Sequence, residues 1–313
     1  MKTETKTATP AAPLDWPGEK PVAKRRHHYP SKWSITKSVI KHVVLIAAAV
    51  SMIYPLIWMI VSSFRPDNLI FRNPGISLTD LTTENYTTGW NALSTTGQSL
   101  PFGLFMWNSL VIAVGSIIGN VFACSLAAYA FARLKFTGRS ILFAIMLLTI
   151  MLPSHVTLVP QYIMFSKLGM VGTYWPLILP KLLATDAFFV FLMVQFIRAL
   201  PRELDEAALI DGCGHFRIFF NIMLPLMTPA IATTAIFTFI WTWNDFFASL
   251  LYLSGKSSMY TVQLGLRAFQ DSGGTTHWGS IFAMSVISLV PIFLAFLFGQ
   301  RFLIRGIATT GIK

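Results

Sequence analysis

Charged residues are scarce in this 313-residue chain, and their scarcity limits the kinds of protein it can be. Asp, Glu, Lys and Arg make up 12% of the residues, about half of the ~25% that is usual in soluble domains. Hydrophobic residues make up 54%, and the mean hydropathy is +0.61. So few charges cannot solvate the surface of a soluble protein of this size, and the apolar content excludes disorder for most of the chain.

Cysteines and enzyme motifs are also lacking. The two cysteines, Cys124 and Cys213, are too few for a disulfide scaffold or a Cys-rich metal site. The HExxH and GxSxG motifs of metalloproteases and hydrolases are absent. Gly255-Lys256-Ser257 matches the end of a phosphate-binding loop, but Leu250 stands where that motif has its first glycine. We therefore predict a non-catalytic chain with no metal and no ATP site, so that any nucleotide-driven work is done by a partner.

Long apolar runs are what the sequence has instead. A membrane-spanning helix needs about 20 mostly apolar residues, and its backbone must satisfy its hydrogen bonds internally. The predicted spans are 43–61, a second within 102–131, 141–163, 182–196, a fifth within 228–251, and 278–300. We therefore predict an all-α membrane protein with six transmembrane helices. The fourth span is the weakest of these predictions, because Pro176 and Pro180 precede it and Asp186 interrupts it.

The positive charges predict the orientation of the spans. A net charge of +11 would suit a nucleic-acid-binding protein, but 18 of the 24 Lys and Arg residues fall in the tail and loops on one side of the membrane. Cytoplasmic loops carry such an excess, so we predict that both termini are cytoplasmic and that no nucleic acid is bound. Residues 1–36 are predicted to form a disordered cytoplasmic tail, and residues 37–313 the transmembrane domain. The longest outer loop contains the sequon Asn85-Tyr86-Thr87, which chance readily produces.

The cytoplasmic loop 198–228 has the most specific local pattern. Pro201 suits the first position of a helix, and Asp205 and Glu206 lie in its first turns, where the helix dipole favours carboxylates. Gly212 suits the helix end, because glycine adopts the left-handed conformation without strain. The loop is therefore predicted to contain a short helix of about three turns.

The predicted faces of this loop leave two interpretations open. Leu204, Ala207 and Ala208 fall at positions i, i+3 and i+4, which predicts a narrow face that can pack closely. A bulky stripe on a second helix, 216–224, comprises Phe216, Phe219, Phe220 and Met223. Pro225 and Pro229 then break or kink the chain before the fifth span. Taken alone, the pair of helices is either an amphipathic connector in the membrane interface or a docking element for a cytoplasmic partner.

The spacing of this loop resembles a family signature. Glu206-Ala207-Ala208 is followed after three residues by Gly212, and the pattern resumes nine residues later. The complete set of matching positions is Glu206, Ala207, Ala208, Gly212, Ile222, Leu224 and Pro225. The set resembles the EAA motif of ABC importer permeases, and a chance match is on the order of one in a million at average residue frequencies. Elements that resemble the carbohydrate-uptake branch, in particular the second permease subunit of maltose-type transporters, are Asn108-Ser109-Leu110, residues 128–133, Trp243-Asn244-Asp245-Phe246 and residues 306–313.

This resemblance implies the type I ABC importer permease fold in a bacterial cytoplasmic (inner) membrane. It implies that the loop enters a cleft on a partner ATPase as a coupling helix, and that two ATPases closing around ATP and Mg²⁺ drive alternating access. Glu206 would then make polar contacts with the ATPase, Ala207 and Ala208 would supply a close-packed face, and Gly212 would permit the sharp turn. Further expected coupling residues are Asp211, Ile222, Leu224 and Pro225. The implied partners are a second permease in a heterodimer, an extracytoplasmic sugar-binding protein, a sugar or oligosaccharide, and membrane lipid.

The predicted substrate path centres on the fifth span. A charge at the position of Asp245 is costly in lipid, so it should face the bundle interior or a cavity. Trp241 and Trp243 are two residues apart, so at most one should line a path near Asp245. Trp241, Trp243, Asn244 and Asp245 are therefore candidates for the path, with a helix-packing role as the alternative. Lys181 and Asp186 are predicted to form a structural pair near the outer end of the fourth span.

Two competing classes are disfavoured. A stand-alone secondary transporter needs an intramembrane coupling site, for which Asp186 and Asp245 are thin support. An intramembrane enzyme needs a nucleophile with its base or a metal cluster, and neither is present in the sequence. The complete signature falls on the side that the charge distribution independently predicts to be cytoplasmic, which favours the ABC permease.

Overall fold

The computed structural model describes residues 32–72, 75–77, 79–91, 93–95, 98–271 and 276–309. The chain divides into two compact units, Met1–Tyr54 and Pro55–Lys313. The first helix begins at Lys32, so residues 32–36 of the predicted tail are helical. The rest of the predicted tail, 1–31, lies outside the described residues, as do the last four positions of the 306–313 element.

The regular elements among the described residues are helices, apart from one short hairpin. The first elements are α1 (Lys32–Ser63), α2 (Asp67–Ile70), α3 (Glu84–Asn91), β1 (Leu93–Thr95) and β2 (Gln98–Leu100), the two strands pairing antiparallel with Ser94 opposite Ser99. The middle of the chain forms α4 (Phe102–Arg133), α5 (Arg139–Ile150), α6 (Ser154–Lys167), α7 (Trp175–Leu182) and α8 (Ala187–Ala199). The loop 198–228 forms α9 (Glu203–Ile210), α10 (His215–Ile218), a π-helical turn (Phe219–Met223) and α11 (Leu224–Leu226). The last elements are α12 (Thr228–Trp243), α13 (Phe247–Leu253), a 3₁₀ turn (Ser257–Met259), α14 (Val262–Asp271) and α15 (Trp278–Thr309).

Several of these helices are long and apolar enough to cross a membrane. Among the described residues there are four such stretches, Lys37–Ser63, Phe102–Arg133, Trp175–Ala199 and Trp278–Phe302. A fifth arises if the bent pair His215–Leu226 and Thr228–Trp243 is taken as one span. The all-helical membrane class is therefore confirmed, while the six predicted spans are matched by four or five apolar helices.

The predicted third span, 141–163, is not one helix. α5 ends at Ile150 and α6 begins at Ser154, with Pro153 in the gap. Proline donates no backbone hydrogen bond, and it disfavours a helical conformation in the residue before it. The segment is therefore two shorter helices, and continuous hydropathy concealed the break.

The predicted fourth span begins earlier than 182–196. The apolar stretch is Trp175–Ala199 and includes α7. Pro176 lies in the first turn of α7, where its missing N–H costs no intrahelical bond. Proline therefore did not exclude a helix here, and Asp186 lies in the short interruption between α7 and α8.

The predicted fifth span, 228–251, is interrupted near its middle. α12 ends at Trp243 and α13 begins at Phe247, so Asn244 and Asp245 lie at a break. Before α12 the chain bends by 75°, between Pro225 and Pro229. The sequence-based prediction of a kink at these prolines is confirmed.

Helix α4 is the centre of the second unit, because α7, α8 and α12 all pack against it. Near its Arg133 end, a buried cluster includes Cys124, Ala128, Tyr129, Met193, Phe219 and Met223. Near its Phe102 end, a second cluster includes Phe102, Phe105, Trp243, Phe269 and Met284. In lipid the hydrophobic effect does not drive helices together, so close packing and buried polar contacts stabilise this arrangement.

Asn85 of the sequon is a structural residue. Its side chain is buried, and its Nδ2 donates to the Ser63 carbonyl at 2.9 Å and to the Arg65 carbonyl at 2.7 Å. A side-chain amide held in this way is not available for glycosylation. The first turn of α15 lies against it, where Gly279 donates its N–H to Asp67 Oδ1 at 2.6 Å.

Replacing Gly279 by alanine should destabilise the protein. A Cβ at this position would overlap the carboxamide atoms of Asn85, which two hydrogen bonds hold in place. We expect a loss of about 1–3 kcal/mol from overpacking, measured as a lower thermal midpoint of the purified protein. Gly255→Ala is the matched control, because its Cβ meets no atom within 4 Å. Equal midpoints for the two variants would contradict this account.

Candidate functional site: a helical loop and a polar membrane cavity

Helix α9 ends in a glycine-dependent turn. Gly212 has φ of +80°, in the left-handed region. The Gly212 N–H donates to the Leu209 carbonyl at 3.0 Å, and the Cys213 N–H donates to the Ala208 carbonyl at 2.9 Å. This pair of bonds is a Schellman motif, which satisfies the last carbonyls of a helix. The helix stop predicted at Gly212 therefore has a defined geometry, and α9 has eight residues, fewer than the predicted three turns.

The inward face of α9 differs from the predicted one. Ala208 is only 6% exposed and belongs to the core cluster around α4 and α8. Leu204, Glu206 and Ala207 are exposed. Ala208 thus packs within its own chain, and the expectation that it contacts a partner together with Ala207 is corrected. The inward pair is Asp205 and Ala208, at positions i and i+3.

A buried ion pair attaches α9 to α4. Arg133 Nε lies 2.8 Å from Asp205 Oδ2, and the two side chains are 5% and 14% exposed. Arg133 Nη2 also donates to the Leu200 carbonyl at 2.9 Å. Burial raises the pKa of the Asp205 carboxyl group, while the positive charge of Arg133 lowers it in part. Sequence reasoning missed this pair, because an acidic residue in a first helical turn was explained by the helix dipole alone.

The second half of the loop divides the predicted phenylalanine stripe. Phe219 and Met223 are buried, whereas Phe216 is 77% exposed. Phe220 is 45% exposed, so the two exposed and the two buried residues each form a pair at positions i and i+4, and the predicted stripe lies across the edge of the packed face. Of the remaining motif positions, Ile222 and Leu224 are partly buried against the core cluster, and Asp211 and Pro225 are exposed.

The exposed surface of the loop combines acidic and apolar side chains. Glu203 and Glu206 are exposed on α9, where Ile210 is 86% exposed. Phe216 extends the apolar part. Large apolar side chains exposed together with charged ones are typical of surfaces that contact another protein or a membrane.

A cavity with both polar and apolar residues in its walls lies between α4, α5, α6, α7, α8, α12 and α13. Two adjoining pockets of about 370 Å³ and 590 Å³ share Lys181, Trp241, Asp245 and Ala248 in their walls. Both volumes fall within the range of small-molecule sites. The cavity therefore has the size and the mixed lining of a ligand path.

The two candidate tryptophans have different environments. Trp241 is 49% exposed and lines the cavity, with its ring 5.0 Å from that of Phe189. Trp243 is buried, stacks on Phe239 and donates from Nε1 to the Ser288 carbonyl at 3.2 Å. Trp243 is thus a core residue that lines neither pocket, and its prediction as a residue of the path is wrong.

Asn244 and Asp245 also differ. Asn244 Nδ2 donates to the Ile240 carbonyl at 2.8 Å at the end of α12, and Asn244 is not among the cavity residues. Its side chain is exposed and bonds the last turn of α12, and its part in a substrate path stays a prediction. Asp245 lines both pockets and accepts a hydrogen bond from the Ala248 N–H at 3.1 Å. Of the four candidates, Trp241 and Asp245 are thus the two that face the cavity.

A polar network borders the cavity and joins three spans. Asp186 Oδ2 lies 2.8 Å from Lys181 Nζ and accepts a hydrogen bond of 2.8 Å from Asn120 Nδ2. Asn120 also donates to Thr238 Oγ1 at 2.9 Å. Lys181 and Asp186 were predicted to pair, but Asn120 and Thr238 were missed. The available signal was a polar amide within the long apolar run of α4, which is costly in lipid unless it is paired.

The fold and the two sites define a class of protein, a multi-pass membrane protein with a polar internal cavity and an exposed helical loop. Residues 119–308 match the family model described as "Binding-protein-dependent transport system inner membrane component". The chain belongs to this family, in the carbohydrate-uptake branch of ABC transporter permeases.

Its relatives match over most of their length. The trehalose/maltose transport system permease protein MalG of Thermococcus litoralis is 34% identical, over 88% of this chain and 99% of that protein. The arabinooligosaccharides transport system permease protein AraQ of Halalkalibacterium halodurans is 36% identical, over 83% and 91%. The sn-glycerol-3-phosphate transport system permease protein UgpE of Yersinia enterocolitica is 33% identical, over 85% and 94%. The resemblance predicted from the motifs is confirmed.

A solved structure shares the fold. It is a crystal structure of a bacterial ABC transporter involved in the import of the acidic polysaccharide alginate, with a TM-score of 0.72 and 19% identity over 87% of this chain and 98% of that chain. At this identity the match supports the type I importer permease fold alone.

Breaking the Arg133–Asp205 pair from one side should be more damaging than removing both charges. Asp205→Ala leaves a buried guanidinium, with an expected loss of about 3–5 kcal/mol, while Arg133→Met combined with Asp205→Leu should regain most of it. The thermal midpoints of the purified variants measure both effects. Glu203→Ala, which removes an exposed carboxylate from the same helix, is the control and should change little. If the thermal midpoint of Asp205→Ala equals that of Glu203→Ala, the pair does not stabilise the attachment of α9.

Proposed function

We propose that this chain is the transmembrane subunit of an ATP-driven ABC importer, and that it moves a sugar or oligosaccharide across a bacterial cytoplasmic membrane by alternating access. The observation that carries the proposal is the complete EAA motif on an exposed helical loop of a chain that belongs to the permease family. The transport systems of its relatives MalG and AraQ are named for trehalose, maltose and arabinooligosaccharides. These names support a carbohydrate as the substrate.

The coupling role is assigned to the outward face of α9. Glu206, Ala207 and Ile210 are the side chains that a partner ATPase can reach, while Ala208 fastens the helix to the membrane core. The Arg133–Asp205 pair joins α9 to α4, the helix on which the bundle is centred. A push on α9 therefore acts on α4 through a short, buried contact, as coupling to ATP closure requires.

The other functions of the proposed importer are carried out by partner proteins. ATP and Mg²⁺ are bound by two ABC ATPases, a second permease completes a heterodimer, and an extracytoplasmic binding protein delivers the sugar. We propose six crossings, with α5 and α6 together forming one of them, and both termini in the cytoplasm. The excess of Lys and Arg in the tail and in the loops on that side supports this orientation.

The first test is a pull-down of the tagged chain in mild detergent, with the bound proteins identified and ATPase activity assayed. A second permease and an ABC ATPase are expected. Deletion of residues 206–212 should release the ATPase while the second permease remains bound. A chain that purifies alone and supports ATP-independent uptake would instead favour a secondary transporter, for which the Lys181–Asp186 pair in the membrane would be the coupling site.

Gly212 allows a finer test of coupling. Because its φ is +80° and no atom lies within 4 Å of the place that a Cβ would take, a substitution there meets backbone strain without a clash. Gly212→Val should lower substrate-stimulated ATPase activity at least tenfold, because β-branched residues resist this conformation, whereas Gly212→Asn should stay close to wild type. Gly214→Ala, at an ordinary φ of −75°, is the control. Full activity of Gly212→Val would show that the turn does not position α9.

A further inference from the structure

The cavity offers a sugar the groups that sugars bind. Hydroxyl, amide and carboxylate side chains line its walls, namely Gln161, Thr238, Thr242, Asp245 and Ser249. The indole of Trp241 is half exposed beside them. An apolar aromatic face next to convergent polar groups holds a ligand that has both hydroxyls and an apolar surface.

The charges of the cavity discriminate between substrates. Lys181 is the only cation among the described residues that line the two pockets. Its ammonium is already 2.8 Å from Asp186, which Asn120 also contacts. An anionic substrate would have to draw Lys181 away from Asp186 and leave that carboxylate, which is only 23% exposed, beside a second negative charge, and this repulsion opposes its binding.

We infer that this subunit itself contacts the substrate, and that the substrate is an uncharged carbohydrate. The inference rests on the proposed function and deepens it by naming the substrate class. The Trp241 ring packs against a sugar face, and Asp245 and Gln161 exchange hydrogen bonds with hydroxyls. Asp186 holds the charge of Lys181, so that the site rejects phosphorylated and uronate sugars.

Substrate class is tested with the complete importer and its binding protein in proteoliposomes. The neutral probes are trehalose, maltotriose, arabinotriose and N,N′-diacetylchitobiose, and the anionic probes are sn-glycerol-3-phosphate and digalacturonate. ATP-dependent uptake of at least one neutral probe, and of neither anion, is expected. ATP-dependent uptake of an anion would overturn the inference and leave the proposed function standing. The absence of any ATP-dependent uptake would count against the proposed function itself.

Direct contact is tested by equilibrium binding of the transported sugar to the complex in nanodiscs, without the binding protein. Trp241→Ala should raise Kd about 3- to 10-fold, the usual loss for an aromatic contact, and Trp241→Phe should recover most of it. Trp107→Ala is the matched control, because Trp107 is exposed on α4 and lines neither pocket. Equal Kd values for Trp241→Ala and Trp107→Ala, or transport without measurable binding, would overturn the contact.

The discrimination against anions is tested at Asp186. Asp186→Asn keeps the shape and the contact with Asn120 but removes the charge that holds Lys181. The affinity of the complex for sn-glycerol-3-phosphate is measured by competition with the transported sugar. In the Asp186→Asn variant this affinity should be at least tenfold higher than in wild type. Adding Lys181→Met to Asp186→Asn should abolish that gain. A gain that persists without the lysine, or no gain at all, would contradict the assigned role of the pair.

Discussion

Buried polar groups in lipid need partners, and on α4 this requirement fixes the arrangement of the second unit. Asn120 in the middle of the helix donates to Asp186, which immediately precedes α8, and to Thr238 of α12. Arg133 at its end contacts Asp205 of α9. The Asn120 contacts hold only if the three helices approach at one depth and rotation, because no water is available in lipid to replace a missing partner. The Arg133–Asp205 pair lies at the loop end of α4, where the protein itself, and not lipid, buries it. The apolar packing around α4 tolerates small shifts, but these polar contacts do not.

The two contacts place the proposed coupling surface and the cavity on one rigid element. Asn120 and Arg133 are 13 residues apart, about 20 Å along a helix. In the proposed mechanism a displacement of α9 would reach Arg133 through the buried ion pair, and α4 would carry it toward the wall of the cavity. Coupling between distant sites requires elements with discrete arrangements. We expect the hydrogen bonds of Asn120 to change partners between such arrangements, since Asp186 and Thr238 come from different helical segments.

Predictions from the sequence were right where the signal was local and wrong where the outcome depended on tertiary packing. The stop at Gly212 and the kink between Pro225 and Pro229 follow from backbone chemistry, and both are present in the structure. The inward direction of Ala208 depends on how α9 packs against the buried cluster to which Ala208 belongs, and no spacing within the loop reveals this. For the same reason Asp205 was assigned to the helix dipole, although its partner is Arg133, 72 positions earlier in the chain.

The other source of error in the predicted spans was the assumption that a continuous apolar run forms a continuous helix. Hydropathy averages over a window, so it joined α5 to α6 across Pro153 and α12 to α13 across Asn244 and Asp245. The separation of Trp241 from Trp243, by contrast, followed from helical rotation between residues two apart, although rotation alone did not show which of them faces the cavity. Packing of Trp243 against Phe239 decides that question.

The two carboxylates of the cavity lie where helices are interrupted. Asp186 immediately precedes α8, and Asp245 lies two residues before α13 and accepts a hydrogen bond from its first turn. The first N–H groups of a helix have no intrahelical partner, so the Asp245 carboxylate can accept one of them. The Asp186 carboxylate is instead stabilised by Lys181 and Asn120. The same breaks open space between helices, because the side chains on either side no longer pack in one row. Interrupted helices therefore explain both why acidic residues are tolerated in this membrane domain and why a polar cavity lies beside them.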